Sequence, residues 1–140
     1  MRVVIRGAGD LASGVALRLW RAGMDVVLLD VEKPTAIRRT VAFSEAIVHG
    51  KQTVEDVTAR LATAETAEET LAAGMIPVLV DPEGRSIPTL RPDALVDAIL
   101  AKRNLGTKIT DAPVVIGVGP GFTAGVDCHA VVETMRGHTL

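Results

Sequence analysis

The sequence predicts an α/β fold: a Rossmann-like, mostly parallel sheet with helices on both faces. Three observations predict it. "VVIRG" (Val3 to Gly7) and "DVVLLD" (Asp25 to Asp30) are short apolar, β-branched runs of the kind that form strands buried on both faces. Asp10 to Ala22, between them, carries a helical pattern, so the segment reads as a right-handed βαβ unit with parallel strands. Apolar runs and helical patterns then alternate along the rest of the chain.

In the first helix Leu11, Val15, Leu19 and Ala22 share a face expected to meet the sheet, and Gly23 can terminate it. Pro34 and Thr35 open a second helical pattern reaching His49, with Gly50 as its stop. "TVEDVTARL" (Thr53 to Leu61) alternates as a strand does. Thr66 and Glu69 form a capping-box pattern before a short helix ending near Gly74. "IPVLVD" (Ile76 to Asp81) reads as a strand and "DPEGRSIP" as a loop. Pro92, at a first helical position, opens a predicted helix to about Arg103. "PVVIGVG" (Pro113 to Gly119) is a buried strand, while "VDCHAVVET" (Val126 to Thr134) reads as either strand or helix. With no internal repeat and no low-complexity linker, residues 1–140 are expected to form a single Rossmann-like domain.

Composition narrows the function. The chain has 140 residues, 48% of them apolar, enough for a real core and too many for disorder. A formal charge of −2 gives no electrostatic reason to bind nucleic acid. Trp20, Phe43 and Phe122 are too few aromatics for a base-stacking platform. One cysteine, Cys128, excludes an internal disulfide and fits a reducing cytoplasm. Arg2 and Arg6 interrupt the N-terminal apolar run, so no secretory signal is visible, and no apolar stretch is long enough to span a bilayer. A cytoplasmic protein without nucleic-acid or membrane partners is expected, and a homo-oligomer is compatible.

"GAGDLASG" (Gly7 to Gly14) is the first candidate site. Gly7, Gly9 and Ala12 fit the pattern G-x-G-x-x-G/A. Gly7 permits the tight turn, Gly9 leaves room for a phosphate, and Ala12 lets the helix lie close to the strand. The helix opening there aims backbone N–H groups and a positive dipole end at the loop. Asp30, at the end of the second strand, stands where an acid binds a ribose hydroxyl. Asp10 stands at or beside the N-cap, where its charge would repel a pyrophosphate. Arg6, Arg38 and Arg39 are the candidates to compensate it. The last two fall in a predicted first turn, an unfavourable place for cations unless an anion is near.

A second loop, "GVGPGFTAG" (Gly117 to Gly125), also follows a buried strand. If that strand is parallel to the first, both loops share one sheet edge, and Gly119, Gly121, Phe122 and Thr123 form a second wall to a cleft. Beyond it lie Cys128, His129 and Glu133, the candidate catalytic residues. Cys128 and His129 are neighbours and point apart in strand or helix, so they do not read as a dyad. His129 and Glu133 share a face in either structure. Cys128 is the chain's soft nucleophile, in mostly apolar surroundings that favour burial. No metal site is read from the sequence.

The stretches "VVIRGAGDLASGVALRLWRAG", "PTAIRRTVAFSEA", "IPVLVDP" and "LVDAILAKRNLGTKITDAPVVIGVGPGFTAGVDCHAVVETMRGH" together resemble the accessory-protein family found with selenium-dependent molybdenum hydroxylases. That family is distantly similar to the maturation factors of xanthine dehydrogenase. The resemblance implies a Rossmann-like domain that helps mature a molybdenum hydroxylase, its partner. The work implied is handling a molybdopterin-type cofactor or delivering labile selenium or sulfur, with Cys128 as the candidate carrier. Members are usually longer, with a β-rich region following, so the chain reads as a short member or as the N-terminal part of a longer protein. The leading expectation is an accessory protein holding a phosphate-bearing small molecule between the two loops. The alternatives are an NAD(P)-dependent oxidoreductase using the first loop, and a non-catalytic scaffold that docks on the hydroxylase. No convincing hydride-transfer apparatus accompanies the first alternative.

Overall fold

A computed structural model describes residues 1–30, 42–100 and 104–133. Their elements are β1 (Arg2–Arg6), α1 (Asp10–Arg21), β2 (Asp25–Asp30), α2 (Glu45–His49), β3 (Lys51–Val54), β4 (Val57–Ala62), α3 (Ala67–Ala72), β5 (Ile76–Val80), α4 (Ile87–Leu90), β6 (Ala94–Asp97), β7 (Val114–Val118) and β8 (Ala130–Val132). The strands form one sheet in the order β3-β4-β5-β2-β1-β6-β7-β8. All pairs are parallel except β3 with β4. The fold is α/β.

Alternation along each strand divides the core between the two faces of the sheet. Val3 and Ile5 of β1 pack on one side with Val26, Leu28, Ala12, Ala16 and Phe43, under α1 and α2. Val4 packs on the other with Val27, Leu29, Leu95 and Val115, under α3 and α4. Among the described residues, no helix is long and apolar enough to cross a membrane.

The first βαβ unit forms as the sequence predicts, but α1 is rotated on the sheet. Its buried residues are Ala12, Ser13, Ala16 and Leu17. Leu11 is exposed and Val15 and Leu19 are only partly covered. Leu11, Val15 and Leu19 mark the rim of the contact; the small residues let the helix axis come close to β1 and β2.

Three other expectations change. Thr53 to Leu61 is a hairpin, β3 and β4 joined at Glu55 and Asp56, with Glu55 at φ 58. The turn was concealed because a left-handed position more often holds Gly or Asn. Thr66 is the N-cap of α3 without a side-chain cap bond, because its hydroxyl accepts the Thr63 N–H at 2.9 Å. The predicted helix after Pro92 is a central strand, β6, buried along its whole length between β1 and β7. Val126 to Thr134 resolves as the short strand β8, with Thr134 outside the described residues. Of the helix expected from Pro34 to His49, α2 accounts for the last turn. Residues 31–41, and residues 101–103 of the other expected helix, lie outside the described residues.

Candidate functional site

From β1 the chain moves outward through β2 to β5, then crosses back to place β6, β7 and β8 on the other flank of β1. The six strands β5-β2-β1-β6-β7-β8 are the doubly wound order, with the hairpin β3-β4 added outside β5. Strand order therefore reverses between β1 and β6. In such sheets the ligand crevice opens beyond the carboxyl ends of the strands at that point.

The first glycine loop stands there, and its two glycines do different work. Gly7 has φ 109, and an added Cβ would lie 2.9 Å from the Ala98 carbonyl oxygen after β6. The fold itself therefore demands glycine at this position. Gly9 is the N-cap of the 12-residue helix α1, at φ −70 and ψ −169, a conformation open to any residue. Among the described residues, its chain neighbours aside, no atom lies within 4 Å of where its Cβ would be. The first intrahelical bond runs from Ser13 N–H to the Gly9 carbonyl at 2.8 Å. The N–H groups of Asp10, Leu11 and Ala12 thus belong to the turn that has no intrahelical acceptors. Asp10 is half-buried in that turn, and Ala12 is buried against the sheet.

Arg6 is not available to offset Asp10. Two residues after Val4, its side chain enters the opposite face of the sheet from α1 and is 1% exposed. It donates to Thr107 Oγ1 at 2.7 Å and to the carbonyls of Pro82 at 2.8 Å and Leu105 at 3.1 Å. Asp97, its partner in register on β6, lies 4.0 Å away and accepts from the Thr107 hydroxyl and from the Ile99 N–H. The group ties the ends of β1 and β6 to the loops after β5 and β6. Arg38 and Arg39 lie outside the described residues. Asp30 ends β2, half-buried, and its carbonyl accepts the Asp81 N–H at 2.9 Å.

The second loop follows β7 at the same carboxyl edge as the first, since β1, β6 and β7 are mutually parallel. The loops do not face one another directly: β6 runs between them, and its following residues touch both. Ala98 abuts Gly7, and the Leu100 side chain lies 3.2 Å from the Cβ position of Gly119. Leu100 holds φ 64, unusual for leucine. The two loops read from the sequence as facing walls are separated by residues 98–100, which lie against both. Gly119 and Gly121 both hold positive φ, and the Gly119 N–H is bonded to Val132 at 2.8 Å. The Phe122 ring folds onto Gly117, where it would overlap an added Cβ, and packs with the core on the α3 and α4 face. Thr123 is exposed, and its N–H donates to the Asp127 carboxylate at 2.9 Å.

Cys128 is fully buried in that same core. Exposed His129 spends Nδ1 as acceptor of the Val115 N–H at 2.9 Å, which places the proton of the neutral ring on Nε2. Its place is thus to tie β8 to β7. Glu133 is exposed just past β8.

Sequence reasoning missed Ser13 and the segment that leans on the first loop. The Ser13 hydroxyl accepts the Phe43 N–H at 2.7 Å and donates to the Ala8 carbonyl at 3.2 Å, and Ser44 N–H reaches the same carbonyl at 2.8 Å. The signal for Ser13 was its place beside Ala12 on the close-packed face of α1. A separate groove of about 960 Å³ lies along the ends of β4 and β5, lined by Arg60, Thr63, Glu69, Asp81, Arg85 and Ser86 among others, and by no residue of either glycine loop. Burial pushes the Asp81 carboxyl up. The Ser86 hydroxyl, the Ser86 and Arg85 N–H groups and the charge of Arg6 outweigh it and hold the group below the usual value.

Over 139 residues the chain is 62% identical to the uncharacterized protein YqeB of Escherichia coli (strain K12). The match takes in 99% of this chain and 26% of that protein, so the chain spans about a quarter of the relative's length. No family model and no solved structure matches.

Proposed function

We propose that the chain binds a phosphate-bearing, nucleotide-like ligand of the molybdopterin type at the β1/β6 switch point, as an accessory protein in the maturation of a selenium-dependent molybdenum hydroxylase. Gly9 carries the ligand half of this reading. Gly7 is glycine because the fold requires it, whereas no contact among the described residues and no dihedral requires glycine at position 9. The open space there lies over the first turn of α1, where backbone N–H groups and about half a positive charge favour a phosphate. The resemblance of the quoted stretches carries the maturation half, and the single buried thiol is in keeping with a cytoplasmic protein.

The residues suit such a ligand in a divided way. The N–H groups beside Gly9 hold the phosphate. Asp30, a strand away, suits a sugar hydroxyl. Arg38 and Arg39 are assigned the charge compensation that Arg6, turned to the other face, does not provide. Bound molybdopterin would supply the dithiolene that holds molybdenum; the chain's part is to anchor and orient it.

Asp30 also favours a second reading, an NAD-dependent oxidoreductase. Native mass spectrometry of freshly isolated protein separates the two, because a retained ligand declares itself by mass. Calorimetric titration with inorganic pyrophosphate, cytidine diphosphate, NAD and NADP follows. A pterin or cytidine diphosphate preference supports the proposal, an NAD or NADP preference supports the second reading, and no binding by any probe refutes both. Hydroxylase activation at the wild-type level by a chain that no longer binds its ligand refutes the maturation half.

A further inference from the structure

We infer that β8 is a docking edge for a second copy of this chain: two copies pair antiparallel about Val131 and join their eight-stranded sheets into one. The inference is independent of any ligand at the glycine loops.

The two edges of the sheet are built differently. β3, at one end, carries Lys51, Gln52 and Thr53, and an edge lysine keeps a strand from pairing further. β8, at the other end, is Ala130, Val131 and Val132, without a charge in it. Among the described residues no strand lies beyond it. Apolar surface continues from that edge onto the face that carries α1. There Val132 is 50% exposed and Val114, at the start of β7, is 41% exposed. Parallel strands ordinarily have both faces covered.

The backbone decides how a partner strand fits. Val115 and Gly119 both aim their N–H groups at the β8 side, one to the His129 ring and one to the Val132 carbonyl. Gly117, between them, therefore faces β8 as well. In a parallel ladder such a residue bonds the two neighbours of its register partner and leaves the partner itself facing outward. That partner is Val131, the middle residue of β8. A two-fold axis through Val131 lets each Val131 N–H donate to the other copy's Val131 carbonyl, and it uses the whole strand.

The side chains suit that register. Ala130 falls opposite the second copy's Val132, small against large. His129 falls opposite the second copy's Glu133, because the two stand two residues either side of Val131, and both are exposed. Symmetry forms the pair twice. The Val115 N–H occupies His129 Nδ1, so the neutral ring presents Nε2–H as donor to the carboxylate. Centring the axis on residue 129 or 133 instead would set His129 against itself or Glu133 against itself, and would shorten the overlap.

Sedimentation velocity of the chain at rising concentration, up to the millimolar range, tests this. A monomer–dimer equilibrium is expected. Val131→Pro deletes the outward N–H, and proline is tolerated on an edge strand where that group faces solvent. Its circular dichroism midpoint at low concentration should hold, while two intermolecular hydrogen bonds are lost and dimerisation weakens roughly tenfold or more. Glu133→Lys removes the cross-copy pair without touching the backbone, should also weaken the dimer, and serves if the proline variant misfolds. A chain that stays monomeric at every concentration overturns the inference. So does assembly beyond the dimer, or a dimer as strong as the wild type's in either folded variant.

Discussion

Replacing Gly9 with valine separates binding from folding. The backbone at φ −70 and ψ −169 accepts any residue, and the new Cβ meets no atom of the described residues within 4 Å beyond its chain neighbours. The fold loses only the N-cap preference of glycine over valine, about 1 kcal/mol, which lowers the thermal midpoint by roughly 3–5 °C for a domain of this size. Binding loses far more. The valine methyl groups stand over the first-turn N–H groups, and losing two charge-assisted hydrogen bonds costs about 3–6 kcal/mol, a hundredfold or more in affinity. Gly7→Ala is the control with the opposite signature. Its φ of 109 strains any side chain, by on the order of 1–3 kcal/mol, and its methyl lands 2.9 Å from the Ala98 oxygen, adding roughly 1–3 kcal/mol of overlap. Circular dichroism gives the midpoints, and calorimetry with inorganic pyrophosphate and cytidine diphosphate gives the affinities. Wild-type affinity in a folded Gly9→Val chain would remove the phosphate from this loop. A Gly9→Val midpoint as low as that of Gly7→Ala would show that the second glycine serves the fold as well.

Arg6→Met strands the buried Asp97 carboxylate and should cost about 3–5 kcal/mol by urea unfolding, with part recovered when Asp97→Asn is added; no recovery in the double variant would deny the coupling. Asp81 titrates below its ordinary value in the folded chain, so its contribution to stability is complete above the unfolded carboxyl pKa of about 3.9 and is lost as pH falls below it; Asp81→Asn should flatten the stability curve on that acid side, and an unchanged acid limb would contradict the assignment. Cys128→Ser puts a hydroxyl into an apolar core at a cost of about 1–3 kcal/mol, and the native thiol should react only slowly with a disulfide reagent; full hydroxylase activation by the folded serine variant would reduce Cys128 to a packing residue.

Much of the fold was legible because its central strands announce themselves. Val3 to Ile5, Val26 to Leu29 and, with Pro77 inside it, Ile76 to Leu79 are short apolar runs rich in β-branched residues, the pattern of strands buried on both faces. The turn from β1 into α1 was legible for a related reason: a strand, two spaced glycines and a small residue at the helix start fit a tight strand-to-helix turn. The face of α1 was not, because size was read as burial. Where a helix must approach a sheet closely, the contact belongs to Ala12, Ser13, Ala16 and Leu17, while Leu11 and Leu19 stand at its edge. The buried hydroxyl of Ser44, unpartnered among the described residues, could not be read at all. An unsatisfied hydroxyl is a property of its surroundings, and those come from residues distant in sequence.

β6 is the more instructive failure, because the site depends on it. Pro92 followed by Asp, Ala and Leu has the composition of a helix start, and four strand residues are too few to show a period. Tertiary pairing overrides that preference. Ala94 to Asp97 align with Val3 to Arg6 on one side and with Val114 to Gly117 on the other. A trace of this was present in the sequence. "VVIRG" and "ALVDA" are both apolar runs that close on one charged residue and then a small one, and the two charges are opposite in sign. Buried at the ends of neighbouring parallel strands, neither charge is tolerable alone, and Arg6 and Asp97 do stand opposite one another in register. Two apolar runs ending in complementary charges thus carry information about adjacency that periodicity lacks. Here that information would have put β6 beside β1, located the switch point, and placed residues 98–100 between the glycine loops.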